Sequence, residues 1–302
     1  MNSSTYENNL EPGGDPAKRR QGKYRDTFRR LRRNRLAMAG LVMLLLLVLV
    51  ALLANWIAPF PFDRQDLANN FQPPSRGHWF GTDEFGRDIL SRILFGARVS
   101  LEVGVLVVSF AVTIGGLLGA LAGYYGGLAD EAIMRAMDVL LAVPSLLLAI
   151  AIAATLGGGL FNLMIAVGIS SVPGYARLVR ASTLTTKGME YIEAAKAVGA
   201  SDLRIILEHI LPNCAAPVIV QATLGMAFAV LMAAALSFIG LGIQPPNPEW
   251  GSMLSSGRGY IRDYPYMTMF PGLAIMLTIL ALNFLGDGLR DALDPKLRNG
   301  SR

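Results

Sequence analysis

Few residues in this 302-residue sequence have the types and spacing that chemistry requires. It holds two histidines, His78 and His209, and one cysteine, Cys214. A lone cysteine excludes an internal disulfide and offers no metal-site spacing. No HExxH pattern and no Ser/His/Asp arrangement occurs. A phosphate-binding loop surrounds a Gly-Lys pair with further glycines, and neither Gly22-Lys23 nor Lys187-Gly188 has that setting. Ion coupling calls for acids inside apolar segments, because a charge held there is costly and retained for a purpose. Glu102, Asp138 and Asp287 are the candidates. All three fall near the ends of apolar runs, within reach of water or headgroups, so interfacial or inter-subunit pairing is the simpler reading.

What remains is one polar stretch, Lys187 to Asn213, reading KGMEYIEAAKAVGASDLRIILEHILPN. It is the only polar interruption of any length between Asp138 and Glu249, and its chemistry is recognition. Helical periodicity over about Met189 to Val198 puts Ile192, Ala195 and Val198 on one side and Glu190, Glu193 and Lys196 on another. Gly199 can end that helix in a left-handed conformation. Ser201 can cap the next one, with Asp202 favourably placed at its positive end. There Leu203, Ile206, Leu207, Ile210 and Leu211 follow i, i+3, i+4, i+7, i+8, a full apolar face. Two docking faces result.

The elements that must position this stretch are membrane spans. The chain is 53% hydrophobic and only 16% charged, against about 25% charged in soluble domains. Leu36 to Ile57 runs 22 residues without a charge, enough to cross an apolar layer of roughly 30 Å. It is too long for the core of a cleaved signal peptide and reads as a retained anchor. A second span covers Val103 to Ala129, entered through an amphipathic helix over Asp88 to Ala97. Gly115, Gly119 and Gly123 give it a face for close backbone approach. Val139 to Ala176 lacks charge for 38 residues, about 57 Å as one helix, so it must hold two spans. The third starts near Ile133, and Gly157, Gly158 and Gly159 supply the turn. A fifth span covers Ala216 to about Ile239, with a small-residue stripe at Gly225, Ala229, Ala233 and Ser237. A sixth runs from about Met267 to Gly286.

Ten of the 27 basic residues lie between Lys18 and Arg35, beside the first span. That is an inner-face signal rather than a nucleic-acid patch. With the N-terminus inside, internal segments hold 20 Lys/Arg and external ones seven, so both termini and the polar stretch are expected in the cytoplasm.

The polar stretch resembles the EAA motif of ABC importer permeases: EAA, three residues, G, nine residues, then I-x-L-P. Glu193, Ala194, Ala195, Gly199, Leu211 and Pro212 match at that spacing. His209 stands where the pattern has Ile, a departure shared by the peptide-importer branch, which reads HILPN. FGTDEFGRDILSRILFGARVSL, AGYYGG, PGYARLVR, ALSFIGLGIQPPNPEWG and FPGLAIMLTILALNFLGDGLRDALDPKLR are similar to the C-type permease of dipeptide/oligopeptide ABC importers. The resemblance covers about residues 30 to 298.

It implies an all-α polytopic membrane protein with six transmembrane helices, both termini inside, and the type I importer permease fold with a cytoplasmic coupling helix. The expected division is a basic tail (1–35), a first span (36–58) and an external loop with an amphipathic helix (59–98). A five-helix core (99–291) containing the 177–212 cytoplasmic loop and a C-terminal tail (292–302) complete it. The resemblance implies a non-catalytic subunit forming half of a peptide pathway in a bacterial-type inner membrane. Its implied partners are a second permease chain, two cytoplasmic ATPase subunits that bind the ATP and Mg, and an external solute-binding protein. Glu193, Ala194, Ala195, Gly199, Leu211 and Pro212 would meet the ATPase. Glutathione or nickel complexes are alternative cargoes, and an ion-coupled secondary transporter is the alternative class.

Overall fold

The computed structural model describes residues 29–244 and 246–293. Among them the helices are α1 (Arg35–Ile57), α2 (Ile89–Tyr125), α3 (Gly127–Leu141), α4 (Ser145–Leu156), α5 (Leu160–Lys187), α6 (Glu190–Ala197), α7 (Asp202–Phe238), α8 (Trp250–Gly257) and α9 (Tyr266–Leu293). No strand is present among the described residues beyond a single Thr82–Asp88 bridge. Most of the basic tail and of the C-terminal tail lies outside the described residues.

Four helices, α1, α2, α7 and α9, are long and apolar enough to cross a membrane, and α3 with α4 makes a fifth candidate if the bent pair is one span. Asn34 starts α1, its Oδ1 accepting from Leu36 N–H at 3.1 Å and Ala37 N–H at 3.2 Å. Only small residues of α1 are buried, Ala37, Gly40, Ala51 and Ala54. Leu45, Leu46, Leu49 and Leu52 stay exposed, as an apolar helix facing lipid on most sides must. The α1 backbone rests at Gly40 against Ala281 and Leu285 of α9, where an added Cβ would meet Ala281 O at 2.6 Å.

The glycine face of α2 does what its spacing predicts. A Cβ at Gly115 would meet Val172 O at 2.6 Å, one at Gly119 the Ala176 carbonyl, and one at Gly123 the Thr183 side chain at 2.7 Å. The backbones of α2 and α5 therefore touch along three turns and form the spine of the bundle. The second small-residue stripe is buried too: Ala229, Ala233 and Ser237 of α7 are nearly inaccessible, and Gly225 lies against the Tyr175 hydroxyl.

Two expectations differ from the structure. The third span is broken, with α3 and α4 meeting at 87°. The reason is Pro144, which cannot donate a backbone bond and pushes Val143 out of the helical region. The amphipathic helix over 88–97 leads into the second span as expected, the two forming α2 without interruption. The second helix of the polar stretch likewise continues into the following span as one 37-residue unit, Asp202–Phe238. The turn expected at 157–159 is present, with φ of 86° at Gly157 and 134° at Gly159.

Candidate functional site: the α6–α7 loop

The loop is built from residues that satisfy its own backbone. α6 ends in a closed turn: Gly199 N–H donates to Lys196 O at 2.9 Å and Ala200 N–H to Ala195 O at 3.0 Å. That pairing demands a left-handed residue at the glycine, and Gly199 has φ +82° with open space around it. Ser201 occupies the capping position in extended conformation, but its side chain makes no capping bond; Asp202 is turned instead toward Tyr124.

Tyr124, in the last turn of α2, is the post to which the loop is tied. Its hydroxyl donates to Asp202 Oδ1 at 2.5 Å, and its carbonyl accepts from Lys187 Nζ at 2.5 Å. The Lys196 ammonium stands 5.2 Å and the Lys187 ammonium 5.7 Å from the centre of its ring, the geometry of a cation–π contact. Arg180 of α5 grips both oxygens of Asp130 at 2.5 and 2.6 Å. Asn213 Nδ2 reaches Tyr191 Oη at 3.1 Å and His209 O at 2.6 Å. Under these polar links Ile192, Ile205, Ile206, Ile210 and Cys214 form a buried cluster with Ala120, Tyr124 and Val179, and Ala195 and Leu211 pack against it.

The apolar face differs from the simple helical reading. Residues Ile205–Ile210 form a π-turn, which gives the local helix more residues per turn and rotates the following side chains. Ile205, Ile206 and Ile210 are buried, whereas Leu203 and Leu207 are exposed, as are Val198, Met189 and Tyr191. Glu193, Ala194, Gly199 and Pro212 share the exposed surface, and Ala195 and Leu211 are half-buried beneath it. One face of the loop is thus locked to α2, α5 and α7, and the other presents apolar side chains around an exposed carboxylate.

At the opposite end of the bundle a compact cap covers the start of α2, a feature that spacing alone did not reveal. Asp83 binds Arg87 at 2.6 Å and lies 3.7 Å from Arg92. Asp88 caps α2, its Oδ2 accepting from Ser91 N–H at 2.8 Å, and meets His78 Nδ1 at 2.9 Å. Trp250 is buried and its indole N–H donates to Ile93 O at 3.1 Å. Glu249 caps α8 through Gly251 N–H and Ser252 N–H at 2.9 and 2.8 Å; burial pushes its carboxyl above the usual range. The two histidines lie at opposite ends. Among the described residues no group of three or more His, Cys, Asp or Glu is placed to hold a metal ion. Asp138 pairs with Arg177 at 2.6 Å, while Glu102 and Asp287 are exposed.

Residues 115–299 match the family described as the binding-protein-dependent transport system inner membrane component, and residues 23–74 match the N-terminal TM domain of oligopeptide transport permease C. The chain is 50% identical over 91% of its length to the dipeptide transport system permease protein DppC of Alkalihalophilus pseudofirmus, covering 91% of that protein. It is 47% identical to the di/tripeptide transport system permease protein DppC of Pseudomonas aeruginosa, over 96% of this chain and 98% of that one. Identity to the glutathione transport system permease protein GsiD of Escherichia coli O157:H7 is 50%, over 91% of each chain. A solved structure of the MetNI methionine ABC transporter in an inward-facing conformation superposes with a TM-score of 0.55 at 19% identity, covering 67% of this chain and 96% of that one. With the long apolar helices and the motif geometry in place, these matches put the chain in the family of inner-membrane components of binding-protein-dependent transport systems.

Proposed function

We propose that this chain is one of two permease subunits of an ATP-driven importer of dipeptides and short oligopeptides, with six spans and both termini cytoplasmic. The observation that carries the reading is the α6–α7 loop: a partner-facing apolar ridge fixed to three long helices in a chain without a nucleotide-binding loop. ATPase closure pushes on α6, and Tyr124, Asp202 and the isoleucine cluster pass the displacement to α2, α5 and α7. Glu193 receives a charge-assisted hydrogen bond from the ATPase, Ala194 and Ala195 admit its surface closely, and Leu211 and Pro212 begin the span that moves. A second permease chain completes the pathway, and two ATPase subunits hold ATP and Mg. An external binding protein docks on the cap, where Leu67, Trp79, Phe85 and Ile261 are exposed.

The test is uptake by the complete complex in proteoliposomes with its binding protein. ATP-dependent uptake of alanyl-alanine supports the reading. Uptake that survives ATP removal and stops with an uncoupler assigns the chain to ion-coupled transport instead. Competition by glutathione against alanyl-alanine distinguishes the cargo suggested by the second group of relatives.

A further inference from the structure

The α3–α4 break carries an ion pair unlike its neighbour. Arg180 and Asp130 close on each other through two hydrogen bonds. Arg177 and Asp138 share one, Nη2 to Oδ1 at 2.6 Å, and their side chains are 55% and 50% exposed. Asp138 Oδ2 and Arg177 Nε and Nη1 make no hydrogen bond among the described residues, so this pair retains both acceptor and donor capacity.

Its setting is a break in the helix pair α3–α4. Asp130 and Asp138 are eight residues apart, about 12 Å along α3, yet their partners on α5 are three apart, about 4.5 Å. α3 therefore crosses α5 obliquely, and the chain then turns by 87° at 142–144. Val143 N–H has no backbone partner among the described residues, and Val139, Leu141, Val143, Leu146 and Leu147 around it are exposed. Non-helical backbone within a span persists only where protein buries it or water reaches it, and a half-exposed ion pair carries the same requirement. From Leu146 an apolar groove of about 380 Å³ continues along α4, α7, α8 and α9, past Ile150, Leu231, Phe238 and Leu254, within the size range of small-ligand sites.

We propose that Asp138 and Arg177 form a binding station for the charged termini of the transported peptide. Asp138 takes the ammonium, Arg177 takes the carboxylate, and the groove beside the break takes the apolar side chains. The inference rests on the peptide-importer reading and adds residues of the pathway to it. A zwitterion is the ligand that such a pair suits, because each half of the pair gains a partner without leaving a net charge uncompensated.

Two experiments test it in the complete complex. Asp138→Asn and Arg177→Gln are expected to lower alanyl-alanine uptake by roughly tenfold or more, the scale of a lost charged hydrogen bond, while binding-protein-stimulated ATP hydrolysis continues. A parallel fall of hydrolysis and uptake, or recovery of uptake in the charge-swapped double variant, overturns the proposal in favour of an internal or inter-subunit brace. A dipeptide bearing a diazirine side chain is expected to label residues 138–147; labelling confined to other segments overturns it as well. The labelling arm needs no hydrolysis, so it reads the station even where the ATP-driven reading fails.

Discussion

Gly199 is the residue whose chemistry is most narrowly set. Nothing lies near the position a Cβ would take, so the constraint is conformational rather than steric. A non-glycine residue in left-handed backbone costs about 1–2 kcal/mol, and a β-branched one is the worst case. Gly199→Val is expected to reduce uptake and ATPase stimulation with membrane insertion intact, whereas Gly199→Asn retains both, since asparagine tolerates this region. Equal loss in the two variants would point to a role for the bare backbone in the partner's groove. Glu84 in the cap makes the pH prediction. Desolvation pushes its carboxyl above the usual carboxylate range, opposed by its own backbone hydrogen bond and by Arg87, and among the described residues its buried Oε2 has no hydrogen-bond partner. An acid with a raised folded pKa contributes its stability below the unfolded value, and that contribution is lost as pH rises through the folded one. Thermal stability of the purified protein should therefore contain a component that declines upward from about pH 4.5, and Glu84→Gln should remove that component. An unchanged pH slope in the variant refutes it.

Among the elements, α2 and α5 are the pair on which the rest depends. Their approach is set by glycine, and a methyl group at Gly119 would collide with the Ala176 carbonyl and with Arg180 N. Because both obstacles are backbone, no rotamer change relieves them. Overpacking of this kind costs about 1–3 kcal/mol, so Gly119→Val is expected to lower the melting temperature and the yield of folded protein. Gly116, one residue away but with nothing within contact distance, is expected to accept Ala with little change. That contrast, measured by thermal unfolding in detergent, separates packing at the seam from a general effect of helix propensity. The break between α3 and α4 is the other decisive element. Proline fixes its position, and the two-bond pair between Asp130 and Arg180 fixes the direction from which α3 arrives.

At the scale of the molecule, the two ends of the bundle have different constructions. One end is a cap knit together by the Asp83–Arg87 and His78–Asp88 pairs; the other is a loop whose isoleucines are buried and whose Val198, Leu203 and Leu207 are turned outward. The expected topology follows the basic residues. A phosphatase that works only outside the cytoplasm should be active when fused within 244–263 and inactive after residue 293. The reverse pattern would invert the proposed topology and place the α6–α7 loop on the side away from the proposed ATPase partners. The loop also predicts that paired Leu203→Glu and Leu207→Glu substitutions abolish co-purification of ATPase subunits while leaving the permease folded, since both side chains are exposed. Retained co-purification would shift the contact to the Glu193 side of the loop.

The sequence by itself determined the membrane class, the apolar runs inside the long helices, the α6 helix with its left-handed glycine, and the motif that names the family. These are local properties: apolar run length, helical period and the conformational freedom of one residue. It did not determine that α3 and α4 would meet at 87°, that a π-turn would form at 205–210 with Ile205 buried and Leu203 and Leu207 exposed, or that Asp138 would find Arg177. Those outcomes depend on which backbone lies against which, and on where a helix interrupted by proline can find cover for its exposed groups. The tertiary structure decided them because packing and polar satisfaction are settled between elements distant in sequence, and spacing along the chain carries no record of that partner.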